Sequence, residues 1–351
     1  MNNVVHCCDC MELMKTKPDK FYNFIFIDPP YFKIKGEFDF KMNFNEWVKM
    51  HSVLAQQCYR ILKNNGSIIL WGHAKNIAYQ QIEFDKYFNL LNSCVWIKKN
   101  CRTKKNKDED MRRFKPITER FLFYDKGGDK SGLTMIYSNP DLFKPIKKYM
   151  REEKEKIKKD FQFKTEKEFN DFINAATDTK SVVSRHYFAD SQYIFPTQKI
   201  YNKLQQIKSP QKEYKYFQKE YEELRKEYEE LRRPFFLRNK LKYDAIEWDQ
   251  ESNITKDRDH PTQKPPGLVK QIILSCCNIN SKIFEPFVGT ETVRKICYDL
   301  GFWFEGCEID RDYWQAQEER FKNHIANRSL PGLEPEEIQE HIFSQGKIDY
   351  D

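Results

Sequence analysis

The chain has 351 residues, 39% of them hydrophobic, with 28 Phe, 19 Tyr and a formal charge of +7. That length and aromatic content suffice for one large α/β domain and a smaller second one. No apolar stretch of membrane-spanning length and no secretory signal occurs, which excludes a membrane-embedded or exported protein and places the chain in the cytoplasm as an expectation. Val4 to Cys8 and Phe24 to Asp28 are expected to be short buried strands, apolar and ending in polar residues. Over 45–62, Trp47, Met50, Val53, Leu54, Ile61 and Leu62 recur at roughly helical spacing, and Asn64-Asn65-Gly66 ends the helix. Ser67 to Trp71 reads as a strand, a helix follows near 74–84, and Cys94 to Lys98 and Arg120 to Tyr124 are further strands. This alternation predicts a parallel-type α/β sheet.

From about 130 to 250 the pattern changes to charged helices. Leu142 to Ile157 is one helix. Thr165-Glu166-Lys167-Glu168 is a capping-box start, with Phe169, Phe172 and Ile173 as the apolar face. Ala175-Ala176-Thr177-Asp178 is the candidate turn. A helix over 180–188 then presents Lys180, Ser181, Ser184 and Arg185, and Pro196-Thr197 opens another with Ile200, Leu204 and Ile207. Two short helices and a tight turn fit a helix-turn-helix-like reader of DNA, and equally a plain helical bundle. Between 214 and 231, Tyr214, Phe217, Tyr221, Leu224, Tyr228 and Leu231 follow a heptad rhythm until Pro234 ends it. A homodimer is compatible with this helix, but fewer than three heptads do not pair alone; packing on its own domain is the simpler reading.

The α/β pattern then resumes. Leu268 to Cys277 is helical, Lys282 to Phe287 a strand, Thr292 to Leu300 a helix, Phe302 to Ile309 a strand and 312–326 a closing helix. The expected domains are therefore 1–128 and 251–328 as two halves of one sheet domain, 129–250 as a helical insertion, and 329–351 as a tail. Charge is uneven: residues 98–115 hold nine basic and three acidic residues, 144–159 eight and three, and the tail from Pro331 one and six. Clustered Lys suggests a polyanion partner, against the plain alternative of a solvated face. The ten Cys fall mostly in apolar segments, as at Cys94, Cys276, Cys277 and Cys297, and read as free thiols in a reducing compartment. Cys7 and Cys10 form a C-x-x-C without a second Cys or His pair at zinc spacing, so no metal site is expected.

Two motifs carry chemistry. Asp28-Pro29-Pro30-Tyr31 follows the apolar run Phe24 to Ile27. An exocyclic amino nitrogen of a nucleobase is a poor nucleophile, because its lone pair is delocalised into the ring. Two acceptors aimed at its N–H bonds localise that pair and stabilise the charge that develops on nitrogen. The Asp28 carboxylate and the Pro29 carbonyl supply such acceptors. The second proline stiffens the peptide and donates no hydrogen bond. Tyr31 offers a ring for a base turned out of a duplex. An Asp-Pro turn after a strand is the bland alternative. The second motif is the strand Ile283-Phe284, then Glu285-Pro286-Phe287-Val288-Gly289-Thr290, then a helix. Gly289 lets backbone approach a ligand, and Glu308, at the end of the next strand, suits a ribose diol, with Asp310 as its competitor. Between the motifs, His260-Pro261-Thr262-Gln263-Lys264-Pro265 offers Thr262 and Lys264 to a cofactor carboxylate; its alternative is a Pro-bounded loop.

Together and in this order, these residues resemble the amino-group DNA methyltransferases that use S-adenosylmethionine, and specifically the β-class, a circular permutation with the target-recognition region between the halves. The resemblance covers about 1–125 and 258–325. It implies a Rossmann-like sheet, circularly permuted, with a helical inserted target-recognition region. It implies Asp28, Pro29, Pro30 and Tyr31 as the catalytic loop, and Asp9, Thr262, Lys264, Phe287, Gly289, Thr290 and Glu308 as the cofactor site, Asp9 standing at the acidic position that contacts the cofactor's adenine. Trp96-Ile97-Lys98 and the Glu119–Lys126 strand look like later catalytic-half elements. The insertion, with His186-Tyr187-Phe188 and the Pro196-Thr197 helix, is similar to that of phage-associated members. Where Glu285 stands the family usually has Asp, and where Glu291 stands it usually has Gly. The Glu291 carboxylate would either crowd the cofactor or point outward from the first turn of a helix, where an acid is favourable.

The reading is therefore a site-specific methyltransferase acting on adenine N6 in double-stranded DNA. Lys98, Lys99, Arg102, Lys104 and Lys105, with Lys180, Ser184 and Arg185, would hold the duplex. Asp rather than Ser at position 28 leans to adenine through the resemblance. Three rivals stand beside it: N4-cytosine methylation by the same machinery, a DNA-binding protein on a defective scaffold, and an RNA amino-methyltransferase. No nuclease constellation occurs, so any restriction endonuclease would be a separate chain.

Overall fold

The computed structural model describes residues 3–32, 42–101, 107–126, 143–179, 186–189, 193–210, 214–238, 240–249, 263–278 and 280–327. The chain divides into two compact units: Met1–Gly127 with Pro234–Asp351, and Gly128–Arg233.

The first unit is built on an eight-stranded sheet. Its strands are β1 (Asn3–Cys7), β2 (Tyr22–Ile27), β3 (Leu62–Gly72), β4 (Asn89–Lys98), β5 (Thr118–Asp125), β6 (Ala245–Trp248), β7 (Lys282–Glu285) and β8 (Trp303–Glu308). In space they run β1-β8-β7-β2-β3-β5-β4-β6. The pairs from β1 to β3 are parallel, as is β4 with β6, but β5 runs antiparallel to both β3 and β4. The sheet is thus mixed rather than wholly parallel. β5 returns alongside β4 as its antiparallel partner rather than crossing over to a parallel position. The chain also re-enters the sheet at Ala245, ahead of the boundary at 250 drawn from the sequence. That strand has four residues flanked by charge, and pairs with β4 through its backbone.

Helices α1 (Cys10–Thr16), α2 (Phe44–Ile61) and α3 (Ile77–Phe84) belong to the first half, and α8 (Pro266–Cys276), α9 (Thr292–Asp299) and α10 (Arg311–Ala326) to the second. Two apolar clusters cover the two faces of the sheet. One joins Phe24, Phe26, Trp71, Trp96 and Phe121 to α8, and the other joins Ile25, Ile27, Leu70 and Tyr124 to α2. The alternation of Phe24 and Phe26 with Ile25 and Ile27 explains why β2 is apolar throughout. Asn43 opens α2 with a capping box to Glu46. Its buried stripe is Trp47, His51, Leu54, Ala55, Cys58 and Ile61; Val53 is exposed, and His51 takes an unforeseen core place.

The second unit holds α4 (Lys144–Asp160), α5 (Glu166–Thr177), α6 (Gln198–Gln205) and α7 (Tyr221–Leu231). The Thr165 capping box and the Thr197 cap form as expected. The helix expected over 180–188, with Lys180, Ser184 and Arg185, lies largely outside the described residues, as does the acidic tail. The heptad segment is helical only from Tyr221. Upstream, the hydroxyls of Ser209, Tyr214 and Tyr216 all donate to the Asp160 carboxylate, and Phe217 takes a φ of 52° while its amide donates to Glu153. Those tertiary bonds outweigh the helical period. Among the described residues no helix is long and apolar enough to cross a membrane.

Candidate active site

In the first unit, the sheet's strand order reverses direction between β7 and β2. From β7 the chain goes to β8 on one side; from β2 it goes to β3 on the other. Loops leaving the carboxyl ends of parallel strands part at such a point and leave a crevice. A cavity of about 500 Å³ opens there, lined by Asp9, the Asp28–Tyr31 loop, Lys264, the Glu285–Thr290 loop, Glu308 and Asp310. That size suits a small-molecule ligand.

β2 delivers Asp28 at its end. The Tyr31 hydroxyl donates to Asp28 Oδ1 at 2.7 Å, and the Lys264 ammonium donates to Asp28 Oδ2 at 2.6 Å. Lys264 is 4% exposed, lies 5.3 Å from the centre of the Tyr31 ring and 5.1 Å from that of Trp71, and stands 3.8 Å from Glu119 Oε2. The sequence assigns Lys264 to a cofactor carboxylate; in the structure it lines the cavity and its ammonium faces Asp28 and Glu119. Thr262, its expected companion, lies outside the described residues, with His260 and Pro261.

The backbone of the loop is held from behind. Trp47 Nε1 donates to the Pro30 carbonyl at 2.8 Å, and Asn76 Nδ2 donates to the carbonyls of Tyr31 and Phe32 at 2.7 and 3.3 Å. Phe32 takes a φ of 59°, so the chain turns sharply there. Among the described residues no hydrogen bond reaches the Pro29 carbonyl, which leaves it as an acceptor at the cavity wall. Sequence reasoning does not single out Trp47, Asn76 or Glu119 for the site. A carboxylate at the head of the apolar strand Phe121–Tyr124 is the one signal for Glu119.

The opposite wall comes from β7, β8 and β1. Gly289 has a φ of 53°, a conformation that favours glycine, and its N–H donates to Glu308 Oε2 at 3.2 Å. A Cβ at Gly306 would meet Val288 at 2.4 Å, so the close approach of this loop to β8 also depends on a glycine. The Asp310 N–H donates to Glu308 Oε1 at 3.0 Å. Asp310 itself caps α10, accepting from the amides of Asp312 and Tyr313. Asp9 caps α1 with Oδ1 on the Met11 amide. The register Cys7↔Glu308 brings Asp9 and Glu308 to one end of the cavity. Phe287 and Thr290 also line the cavity, and the Thr290 hydroxyl lies 3.1 Å from that of Thr292.

Burial raises the Glu308 carboxyl against the lowering effect of its amide donors. Burial also drives the Glu285 carboxyl well above the usual carboxylate range, reinforced by the charges of Asp28 and Glu308. Glu291, at the position where the family has Gly, has a φ of 56°. Its side chain is fully buried outside the cavity lining, on Lys295 Nζ at 2.8 Å and Arg320 Nε at 3.1 Å. It neither crowds the cavity nor points to solvent.

Of the residues expected on DNA, Lys98 is turned inward. Its side chain is 13% exposed and its ammonium donates to Glu119 Oε1 at 2.6 Å. It shares the buried side of β4 with Cys94 and Trp96, a consequence of the two-residue strand period. Lys99 is half-exposed, with Glu247 at 3.7 Å. Arg102, Lys104 and Lys105 lie outside the described residues.

Comparison with known proteins places these features in context. A family model described as DNA methylase, of the N6/N4 type, matches residues 22–319. The type II methyltransferase M.HpaI of Haemophilus parainfluenzae is 22% identical over 332 residues, covering 93% of this chain and 76% of its own length. The DNA adenine methyltransferase YhdJ of Escherichia coli (strain K12) is 21% identical over 311 residues, covering 87% and 78%. The solved PvuII DNA methyltransferase, cytosine-N4-specific, has the same fold at a TM-score of 0.52 and 11% identity, over 98% of this chain and 92% of that one.

Proposed function

The chain belongs to the DNA methylase family, with S-adenosylmethionine as its methyl donor, and we propose that within this family it methylates N6 of an adenine turned out of duplex DNA. The carrying observation is the Asp28–Tyr31 loop: a carboxylate and an unengaged Pro29 carbonyl, stiffened by Pro30 and pinned from behind by Trp47 and Asn76.

The cavity chemistry suits this cofactor. Among the described lining residues, Asp9, Asp28, Glu308 and Asp310 stand against one cation, Lys264, and Glu285 adds a carboxyl whose ionised form only a nearby cation would favour. Such a lining favours a ligand that carries a sulfonium and an ammonium. Among the described residues Glu285 Oε2 is buried without a hydrogen-bond partner, an orphan atom that an ammonium would satisfy. Asp9 would serve the adenine end, and Glu308, at the carboxyl end of β8 on the cavity wall, the ribose hydroxyls. Gly289, Phe287 and Thr290 would shape the wall beside the methionine part. When bound, the cofactor supplies an electrophilic methyl on sulfur.

The protein's residues then act on the base. The target amino group donates one N–H to Asp28 and the other to the Pro29 carbonyl. This takes the nitrogen lone pair out of conjugation with the ring and stabilises the charge that grows as the N–C bond forms. Asp28 need not be a strong base, because the methylated nitrogen is acidic and releases its proton to water. Tyr31 presents its ring to the flipped base. Lys99 and the neighbouring basic stretch, with the helical unit at 128–233, would hold phosphates and read the site. The ten free cysteines suit a reducing, cytoplasmic setting.

The test is transfer of labelled methyl from S-adenosylmethionine to unmethylated genomic DNA, followed by nucleoside mass analysis. N6-methyladenine is expected. N4-methylcytosine would keep the mechanism and overturn the substrate, and absence of label would overturn the activity.

A further inference from the structure

We propose that Glu119 is a positioning residue of the transfer site, holding the Lys264 ammonium beside Asp28 while the Asp28 carboxylate serves the incoming amino group. The inference rests on the role given to Asp28 above.

Four charged side chains alternate in sign across the sheet. Lys98 Nζ donates to Glu119 Oε1 at 2.6 Å, Glu119 Oε2 stands 3.8 Å from Lys264 Nζ, and Lys264 Nζ donates to Asp28 Oδ2 at 2.6 Å. Their side chains are 13%, 6%, 4% and 24% exposed, so Glu119 and Lys264 in the middle are the most buried and the row ends at the cavity in its wettest member, Asp28. The four come from β4, β5, the segment before α8 and the end of β2, and the row is electrically neutral. Nothing in the α/β scaffold itself requires charge at these places.

An ammonium 4% exposed is costly to bury unless carboxylates face it. In this structure Asp28 gives both oxygens to protein donors, Oδ1 to Tyr31 and Oδ2 to Lys264. An amino group entering the site must share one of those oxygens, which weakens the hold on Tyr31 or Lys264. Glu119 is the group that then holds the Lys264 ammonium in place. It is within ion-pair range, and a shift of about 1 Å closes it to hydrogen-bond distance. Lys98 in turn faces the other oxygen of the buried Glu119 carboxylate.

The experiment is a double-mutant cycle on the full chain, with steady-state transfer to unmethylated DNA and direct calorimetric titration of S-adenosylmethionine. Glu119→Gln should lower kcat by about 10²-fold, the loss typical of slight misplacement of a catalytic group. The cofactor Kd and KM should stay within about threefold of wild type. Because Glu119 acts through Lys264, the Glu119→Gln, Lys264→Met double variant should be within about threefold of Lys264→Met alone. Multiplying losses would overturn the proposal, and so would an unchanged kcat in Glu119→Gln. Should Glu119→Gln fail to fold, Glu119→Asp carries the test. It keeps the charge one methylene shorter and must lower kcat while leaving the cofactor Kd unchanged; a loss confined to Kd overturns the proposal. Asp28→Ala run alongside separates the two readings. Transfer surviving Asp28→Ala removes the catalytic assignment itself, whereas transfer lost there but intact in Glu119→Gln removes the positioning role alone.

Discussion

Mild acid should loosen this protein through His51. The ring is fully buried in α2, with Nδ1 2.8 Å from the Trp47 carbonyl and Nε2 2.9 Å from Gln80 Nε2. The carbonyl only accepts, so Nδ1 carries the proton, and the neutral Nε2 accepts from the Gln80 amide. Burial pushes the imidazole from its ordinary 6.5 down to about 4. The unfolded chain therefore takes up a proton between those values that the folded chain refuses, and stability falls as pH drops from 6.5 towards 4. At about 1.4 kcal/mol per pH unit, the full effect is about 3 kcal/mol, of which about 2 kcal/mol is already lost near pH 5. Urea midpoints at about pH 7.5 and about pH 5 measure it, above the range where most carboxylates titrate. His51→Gln, which keeps hydrogen bonding without titrating, should remove most of that loss. Equal losses in wild type and variant would refute the reasoning. Trp47, which accepts from His51, also donates to Pro30, so the same protonation should reach the catalytic loop.

Asp28→Ala should reduce methyl transfer by at least about 10²-fold while leaving duplex binding intact, and retained turnover would sink its assigned role. Glu291→Gly should leave cofactor affinity within about threefold, because the side chain lies outside the cavity; a tenfold loss by calorimetry would show a direct binding role. Replacing Lys99, Lys104 and Lys105 by Ala should flatten the dependence of log affinity on log salt by about 0.9 for each phosphate no longer neutralised. An unchanged slope would make that stretch a solvated face.

What the sequence disclosed was what is local. The runs Phe24–Ile27 and Ile283–Phe284, the capping box at Thr165, and the two loop motifs are each written within a few residues, and each forms where its pattern points. What stayed hidden depends on distant partners. Asp28 and Lys264 are 236 residues apart, and nothing near Lys264 reveals that its cation faces that carboxylate. Lys98 sits in a basic run that reads as surface, yet the strand period turns it inward to Glu119. β6 has only four residues, and its place is set by its pairing with β4 and by the Trp96 indole donating to the Trp248 carbonyl. Tyr214 matches a heptad, but the buried Asp160 carboxylate at the end of α4 takes its hydroxyl, together with that of Tyr216.

Glu291 shows how one backbone demand is met by different chemistry. The turn into α9 needs a left-handed residue, for which glycine is the ordinary choice; any other residue costs about 1–2 kcal/mol there. This chain accepts that cost and places the carboxylate behind the loop, between a lysine one turn along α9 and an arginine of α10. The loop's shape, with Gly289 facing Glu308, is thereby tied to the helix that closes the sheet. The same logic governs the order of the halves. The cavity needs loops from the carboxyl ends of β1, β8, β7 and β2, whichever of them the chain visits first. β1 docks on β8 from the N-terminal end of the chain, with Cys7 level with Glu308, and restores the neighbour that the permuted order would otherwise remove. The chain leaves the sheet after β5 and returns at β6, with β3 lying between those strands and the β2 loop. A long insertion at that place changes neither the strands that shape the cavity nor their register.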